Sequence, residues 1–394
     1  MFSKSMNDKM TNKPWFKIPP ALNEKSSIVI IGAGIAGICC YIHLKKAGFK
    51  VTIIDKNDFP LSQASGNPVA ILEPSVSAGE SVEGSYFLDA YQYALRFYAS
   101  LGENIFHPSI LFKSAKNSEE LDRFSRITHY YQENILYKQE NRLIFPSGGY
   151  VIPSALRKLI DSDFIGGQTV TEIIKNSANE WMLLNHSGNK ILEADAIIFT
   201  NAADISNFKQ TQTFSLKQLY GQITYVAPAF TENHILVSDG YVSPVINTEF
   251  GSAHICGATF EKGFNPTITA KAHAENISNS PYQFKNPKIM GGRKAGRAMS
   301  SDHLPLCGPV PDYDLYMSEY EALRHGSRYK KYNDAPYHNN LFMNVGYGSR
   351  GFVHAPILGK YLANILNGDN PPFNNVICNA LHPARFIIRM LSKK

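Results

Sequence analysis

Gly32-Ala33-Gly34-Ile35-Ala36-Gly37 is the string whose residue types and spacing carry the most specific chemistry in this chain. The first glycine permits a tight turn, and the second lets the backbone approach a diphosphate. The third lets the following helix pack closely on its strand. A helix opening there presents free N–H groups and the positive end of its dipole to an anion. Asp55 lies 23 residues beyond Gly32, where a carboxylate can accept both ribose hydroxyls of an adenosine. These positions together predict a bound dinucleotide. An acidic side chain at that place repels a 2′-phosphate and disfavours NADP, but the glycines alone do not separate NAD from FAD.

Such residues need a strand before the glycines, a helix after them and a second strand ending at the acid. Ile28, Val29, Ile30 and Ile31 form a continuous apolar run, the pattern of a parallel strand buried on both faces. The reading is strand over 27–31, helix through Lys46 stopping near Gly48, and strand over 49–55. Residues 84–101 carry Phe87, Tyr91, Leu95 and Tyr98 on one helical face. Residues 110–145 show no clear periodicity. A short helix is expected after Pro153, strands over 180–184, 190–200, 222–226, 240–245 and 254–259, and a last helix over 356–366, started by Pro356. Residues 1–25 read as a loosely ordered lead-in. No internal repeat or low-complexity tract interrupts the pattern.

The 394 residues, 44% hydrophobic and 18% charged, describe a globular chain long enough for two intertwined domains. A net charge of +6 permits a polyanionic partner without demanding one. Cys39, Cys40, Cys256, Cys307 and Cys378 follow no metal-ligand or disulfide spacing. A reducing compartment and no metal are therefore expected. The N-terminus lacks the apolar stretch of a secretory signal, and the uncharged stretch at 26–44 is too short and glycine-broken to span a bilayer. The expectation is a cytoplasmic protein without a membrane segment.

Further segments resemble the D-amino-acid oxidase and glycine oxidase superfamily, in the order that superfamily lays them out. They are Ala64-Ser65-Gly66-Asn67; Ile197-Ile198-Phe199-Thr200-Asn201-Ala202; Gly221-Gln222; Gly296-Arg297 with Asp302-His303-Leu304-Pro305; and Gly346-Tyr347-Gly348-Ser349-Arg350-Gly351 with Ala355-Pro356. Within it, five strings resemble the FAD-dependent half of the bifunctional MnmC family of tRNA wobble-uridine enzymes. These are Lys13-Pro14-Trp15-Phe16, Ala64-Ser65-Gly66-Asn67, Phe145-Pro146-Ser147-Gly148-Gly149, residues 301–311 (SDHLPLCGPVP) and Ala380-Leu381-His382-Pro383-Ala384-Arg385. The likeness runs from about residue 13 to the C-terminus and lacks the methyltransferase half.

The resemblance implies an α/β fold: a discontinuous Rossmann-type FAD-binding domain (26–88, 146–222 and 290–394) with an antiparallel-sheet substrate domain (89–145 and 223–289). It implies non-covalent FAD lined by Gly32, Ala33, Gly34, Ile35, Ala36, Gly37, Asp55, Lys56, Ala64, Ser65, Gly66, Asn67, Val170, Asn201, Ala202, Gly348, Ser349, Arg350, Gly351 and Phe352. The implied substrate is the carboxymethylaminomethyl group of wobble (2-thio)uridine in the anticodon region of tRNA. Its glycine-like CH2 loses a hydride and the resulting imine hydrolyses, releasing glyoxylate and leaving an aminomethyl group; dioxygen is the expected re-oxidant. A separate methyltransferase would then be the partner for the next step.

A planar guanidinium suits the substrate carboxylate best, which singles out Arg297 and Arg350 as catalytic candidates. The helix from Pro356 is expected to turn its positive end toward the flavin. His303 and the cysteines read as structural. Basic residues at 324–331 and 385–394 are candidate phosphate contacts. Three departures stand out: Ala202 replaces a usual glycine, Pro68-Val69 replaces a polar pair, and Arg350 lies one position beyond the carboxylate-binding arginine of glycine oxidases. The competing readings are a small-molecule amine oxidase and a flavin-containing tRNA-binding protein without turnover.

Overall fold

Ser27–Ile31 delivers alternate side chains to two different cores. Ile28 and Ile30 pack among helices on one face, while Val29 and Ile31 pack on the other against residues such as Trp181 and Phe208. The same split recurs in Ala196–Phe199, where Ala196 and Ile198 face the helices and Ile197 and Phe199 face away. A strand covered on both faces needs apolar residues at every position, which is why the run is unbroken.

The structure is a computed structural model that describes residues 13–263, 265–326 and 330–392. Among these residues a six-stranded sheet has the order 306–311, 337–345, 196–199, 27–31, 50–54, 164–165. Ser27–Ile31 pairs in parallel with Lys50–Ile54 and with Ala196–Phe199, in the registers Ile31↔Ile54 and Ile31↔Phe199. Only the edge strand Leu306–Pro311 runs antiparallel to its neighbour. A small antiparallel sheet of Glu172–Lys175, Trp181–Leu184 and Lys190–Ala194 covers one face. Ile35–Lys46, Val82–Leu101 and Gly351–Asn367 cover the other. Ile35–Lys46 and Gly351–Asn367 cross almost backbone to backbone: a Cβ on Gly359 would lie 2.7 Å from the carbonyl of Cys39.

A separate ten-stranded sheet holds the remaining long strands, with Lys217–Val226 pairing along its length with Ile289–Met299. Residues 110–145 contribute strands Ile110–Ser114, Tyr137–Gln139 and Arg142–Phe145 and the helix Ser118–Thr128. Periodicity missed these short elements, but a capping pair marks the helix. Asn117 accepts from the Glu120 N–H (2.9 Å), and Glu120 accepts from the Lys116 N–H (2.9 Å). No helix among the described residues is long and apolar enough to cross a membrane.

Two expectations for the chain ends change. Part of the lead-in is packed: Trp15 is buried, and its carbonyl accepts from the Tyr316 hydroxyl at 2.8 Å. Residues 1–12 lie outside the described residues. At the other end, Asn375–Leu381 and Arg385–Leu391 add two short helices beyond the one expected last.

Arg385 and Arg389 are not free phosphate contacts, because Asp302 engages both. Arg385 is buried and forms two bonds to Asp302 (2.8 and 2.9 Å), and Arg389 also bonds that carboxylate. Burial alone raises the Asp302 pKa, but the two guanidinium groups hold it well below the usual carboxylate range. Lys393, Lys394 and Arg328 lie outside the described residues. Asp302→Ala leaves a buried arginine without its counter-charge, and an unfolding free energy lower by about 3 kcal/mol is expected. Urea titration checks it: the Asp302→Ala/Arg385→Met double variant should recover most of the loss. A single variant as stable as wild type contradicts the clamp.

Three buried histidines give the fold a pH signature. Burial, reinforced by Lys360, pushes His43 down to about 4; burial with Arg350 alongside pushes His354 to about 3, and burial with Arg385 alongside does the same for His382. Each stays neutral in the fold but protonates near 6.5 once unfolded, so its contribution is intact above that pH and is lost as pH falls toward the folded value. Between pH 6 and 4.5 the unfolding free energy should fall by up to about 1.4 kcal/mol per pH unit for each histidine. His43→Gln should shallow that slope; a slope unchanged by the substitution rules His43 out as a source.

Candidate functional site

The turn after Ser27–Ile31 and the helix start beyond it leave no room for a side chain at Gly32 or Gly37. Gly32 has φ +112°, and a Cβ there would lie 2.8 Å from the Thr200 carbonyl carbon. A Cβ on Gly37 would lie 2.0 Å from the Gly32 carbonyl oxygen. Thr200 Oγ1 donates to that same oxygen at 2.7 Å, joining the turn to the end of Ala196–Phe199. Gly34 occupies the N-cap of Ile35–Lys46 without a side-chain cap, so backbone N–H groups open the helix.

Asp55 is held in place by three donors. The Ala33 N–H reaches one oxygen (2.6 Å), while the Asn57 N–H (2.8 Å) and side-chain amide (2.7 Å) reach the other. A carboxylate has about four lone-pair sites. One remains for a ribose, so the expectation of two accepted hydroxyls at Asp55 reduces to one.

Residues 64–67 meet the glycine turn directly. The Ser65 hydroxyl accepts from the Ile35 N–H at 3.1 Å. A Cβ on Gly66 would lie 2.0 Å from the Leu61 carbonyl oxygen, leaving room for glycine alone. Arg293, which sequence reasoning passed over, ties this segment to the large sheet. It donates to the Asn67 side chain at 2.8 Å and to the Ser62 carbonyl at 2.9 Å, and also bonds the Gln63 carbonyl. Its place on a strand 226 residues from Asn67 left no local signal.

A cavity of about 1040 Å³ opens over these elements, just above the roughly 300–1,000 Å³ common for ligand sites. Gly32, Gly34, Ile35, Ala36, Asp55, Lys56, Ala64, Ser65, Asn67, Val170, Asn201, Ala202, Arg297, Gly348, Ser349, Arg350, Gly351 and Phe352 all line it. Ala33, Gly37 and Gly66 do not; they shape the backbone beneath it. Ala202 has φ +54°, a conformation that costs little for glycine and strains alanine. His303 is exposed and does not line the cavity.

Five cationic side chains line the cavity, and they divide sharply. Lys56 pairs with Asp204 (2.6 Å), Lys113 with Glu73 (2.8 Å) and Lys294 with Glu261 (2.6 Å). Arg297 and Arg350 have no carboxylate partner among the described residues, and Nη1 of Arg297 and Nε of Arg350 are buried without an acceptor. Burial, opposed by nearby Tyr241, pulls the Arg297 pKa below the usual arginine value. A buried N–H without an acceptor is costly, and both partly buried side chains line a space able to hold an anion.

The model of the DAO family, described as FAD dependent oxidoreductase, matches residues 27–365. This chain belongs to the FAD-dependent oxidoreductase family. The family's chemistry and cofactor follow: it is a flavoenzyme that binds FAD. Among curated relatives, the bifunctional MnmC protein for tRNA 5-methylaminomethyl-2-thiouridine biosynthesis from Chromobacterium violaceum is 27% identical over 97% of this chain and 62% of its own length. The protein of the same name from Methylobacillus flagellatus is 30% identical over 95% of this chain and 62% of its own. The chain thus spans about three fifths of these relatives. Glycine oxidase from Geobacillus kaustophilus superposes with a TM-score of 0.66 at 18% identity, covering 89% of this chain and 97% of that one. L-proline dehydrogenase from P. horikoshii gives 0.67 at 16% identity, covering 94% and 99%.

The flavoenzyme's own residues fit an extended dinucleotide. A Cβ at Gly32 or Gly37 would clash with the backbone that forms the turn, and the side-chain oxygen of Asn201, which lines the cavity, is buried with no donor. One expectation is corrected. The helix expected to begin at Pro356 begins at Gly351, with Arg350 as its N-cap. Gly346 (φ +85°) and Gly348 (φ +61°) turn the chain into it, and Pro356 sits in its second turn, where it forfeits one backbone bond. The positive end of this helix is therefore at residues 350–353, which line the cavity. Tyr220 and Tyr241 of the large sheet, and Phe260 in the connection between Gly251–Gly257 and Glu261–Lys262, also line it; of these only Tyr241 falls within a strand expected from the sequence.

Proposed function

We propose that this flavoenzyme oxidises the C–N bond of a secondary amine carrying a carboxylate: the carboxymethylaminomethyl group of wobble (2-thio)uridine in tRNA. Glyoxylate is released and aminomethyl(-2-thio)uridine remains. The observation that carries the reading is the pair of buried, unpartnered arginine N–H groups of Arg297 and Arg350 at a cavity whose lysines are all neutralised. The match to MnmC proteins over nearly the whole chain supports the tRNA assignment.

FAD, when bound, supplies the two-electron acceptor for C–N oxidation. The chain's residues supply position. Arg297 and Arg350 take the carboxylate, Arg350 doing so from the N-terminal end of Gly351–Asn367, where the helix dipole also favours negative charge. Fixing the carboxylate orients the adjacent CH2 and its amine in one pose, and orientation of this kind is a large share of what such a site contributes. The glycine turn, Asp55, Asn201 and Ala202 hold the cofactor. The aminomethyl product is one that a methyltransferase would take next.

The test incubates the holoenzyme with tRNA bearing carboxymethylaminomethyluridine, with free glycine and with sarcosine, following flavin absorbance anaerobically and wobble nucleosides by mass. Bleaching by the tRNA with appearance of the aminomethyl nucleoside is expected. Bleaching by glycine or sarcosine but not by tRNA makes the protein a small-molecule amine oxidase instead. Bound flavin reduced by none of them leaves a tRNA-binding flavoprotein.

A further inference from the structure

Phe260 is the least buried aromatic side chain lining the cavity. It is 61% exposed, although an apolar ring of that size is ordinarily placed under cover. It is also held firmly. The Arg297 guanidinium lies over its ring, 5.0 Å from the centroid. Glu261, Thr267 and Thr269, which follow it in the chain, bond to residues of the large sheet. Lys294, on Ile289–Met299, donates to Glu261 (2.6 Å) and to the Thr267 carbonyl (3.3 Å). Gln222 both donates to the Thr269 carbonyl (3.0 Å) and accepts from its N–H (2.8 Å).

With Arg297 over one face, the exposed area of the ring lies on its other face and edge. A fixed aromatic surface at a cavity that also holds an unpaired guanidinium suits a flat, π-faced group attached to an anion-bearing chain. Glycine and sarcosine have no such group; a modified nucleobase does. Resting on the tRNA reading above, we infer that Phe260 is the stacking platform for the substrate's wobble base, with Arg297 bridging the two halves of recognition. Arg297 supports the ring from behind and takes the carboxylate beyond it. Phe260 is thus a specificity-determining residue that separates a base-borne glycine unit from glycine itself. Base–aromatic stacking of this kind is worth about 10- to 100-fold in affinity per base.

The test uses the FAD-loaded protein and two anticodon stem-loops, one carrying carboxymethylaminomethyluridine at the wobble position and one abasic there. Dissociation constants are measured by fluorescence anisotropy for wild type, Phe260→Ala and Phe260→Trp, with flavin content of each variant read from its absorbance. Wild type should bind the modified loop at least about 10- to 100-fold tighter than the abasic one. Phe260→Ala should cut that preference by about 10- to 100-fold, leaving only what the carboxylate contributes, and Phe260→Trp should restore it. A structural role for Phe260 weakens both loops equally and leaves the preference intact. An undiminished preference in Phe260→Ala overturns the platform while the tRNA reading stands. A wild type that neither prefers the modified loop nor is reduced by it overturns both.

Discussion

Gly37→Val protein is expected to purify without colour. The new Cβ would sit 2.0 Å from the Gly32 carbonyl oxygen and 2.9 Å from Thr200 Oγ1. Neither is the loose end of a flexible side chain. The oxygen belongs to the turn that faces the cofactor, and the hydroxyl is fixed by bonds to the Ile31 (3.1 Å) and Gly32 (2.7 Å) carbonyls. Relief of the clash has to move the turn or the helix start, and either movement spoils the backbone geometry that a diphosphate needs. FAD affinity should fall by at least about 100-fold, the equivalent of two or three charge-assisted hydrogen bonds. The control is Gly79→Ala, whose Cβ meets nothing within 4 Å. Visible absorbance after dialysis against FAD, with circular dichroism to show that the chain is folded, decides the matter. Stoichiometric flavin in Gly37→Val would mean that the dinucleotide does not cross this turn.

Removing either unpaired arginine should have the second large effect. Arg297→Ala and Arg350→Ala are each expected to lower kcat/KM by about 10²–10³ for the carboxylate-bearing substrate, as expected when one partner of a desolvated charge pair is truncated. Arg297→Lys should recover only part of this, since an ammonium lacks the planar fork and loses its seat against Phe260. FAD content should stay near that of wild type for Arg297, which sits on the large sheet away from the glycine turn. The discriminating measurement is the carboxamide analogue of the substrate. Wild type should turn it over poorly, and Arg297→Ala should treat acid and amide alike. A variant that still prefers the acid by the wild-type ratio removes that arginine from carboxylate recognition.

Much of the dinucleotide half was legible in the linear order of residues because its signals are local. The strand Ser27–Ile31, the helix ending at Lys46 and the strand ending before Asp55 are encoded within thirty residues. Gly32 and Gly37 there answer steric demands, Gly37 from the turn beside it and Gly32 from Thr200 at the end of Ala196–Phe199. Asn201 and Ala202 were named only through the family resemblance, at the end of the buried run Ala196–Phe199. Tertiary structure alone decided what those residues meet. That Arg385 is an internal counter-ion, that Arg293 anchors a loop more than two hundred residues away, and that only Arg297 and Arg350 among the cavity's cations lack carboxylates all depend on contacts between distant segments. Spacing along a chain reports backbone geometry over a few turns; the pairing of charges is settled by which surfaces the fold brings together, and no local pattern records it.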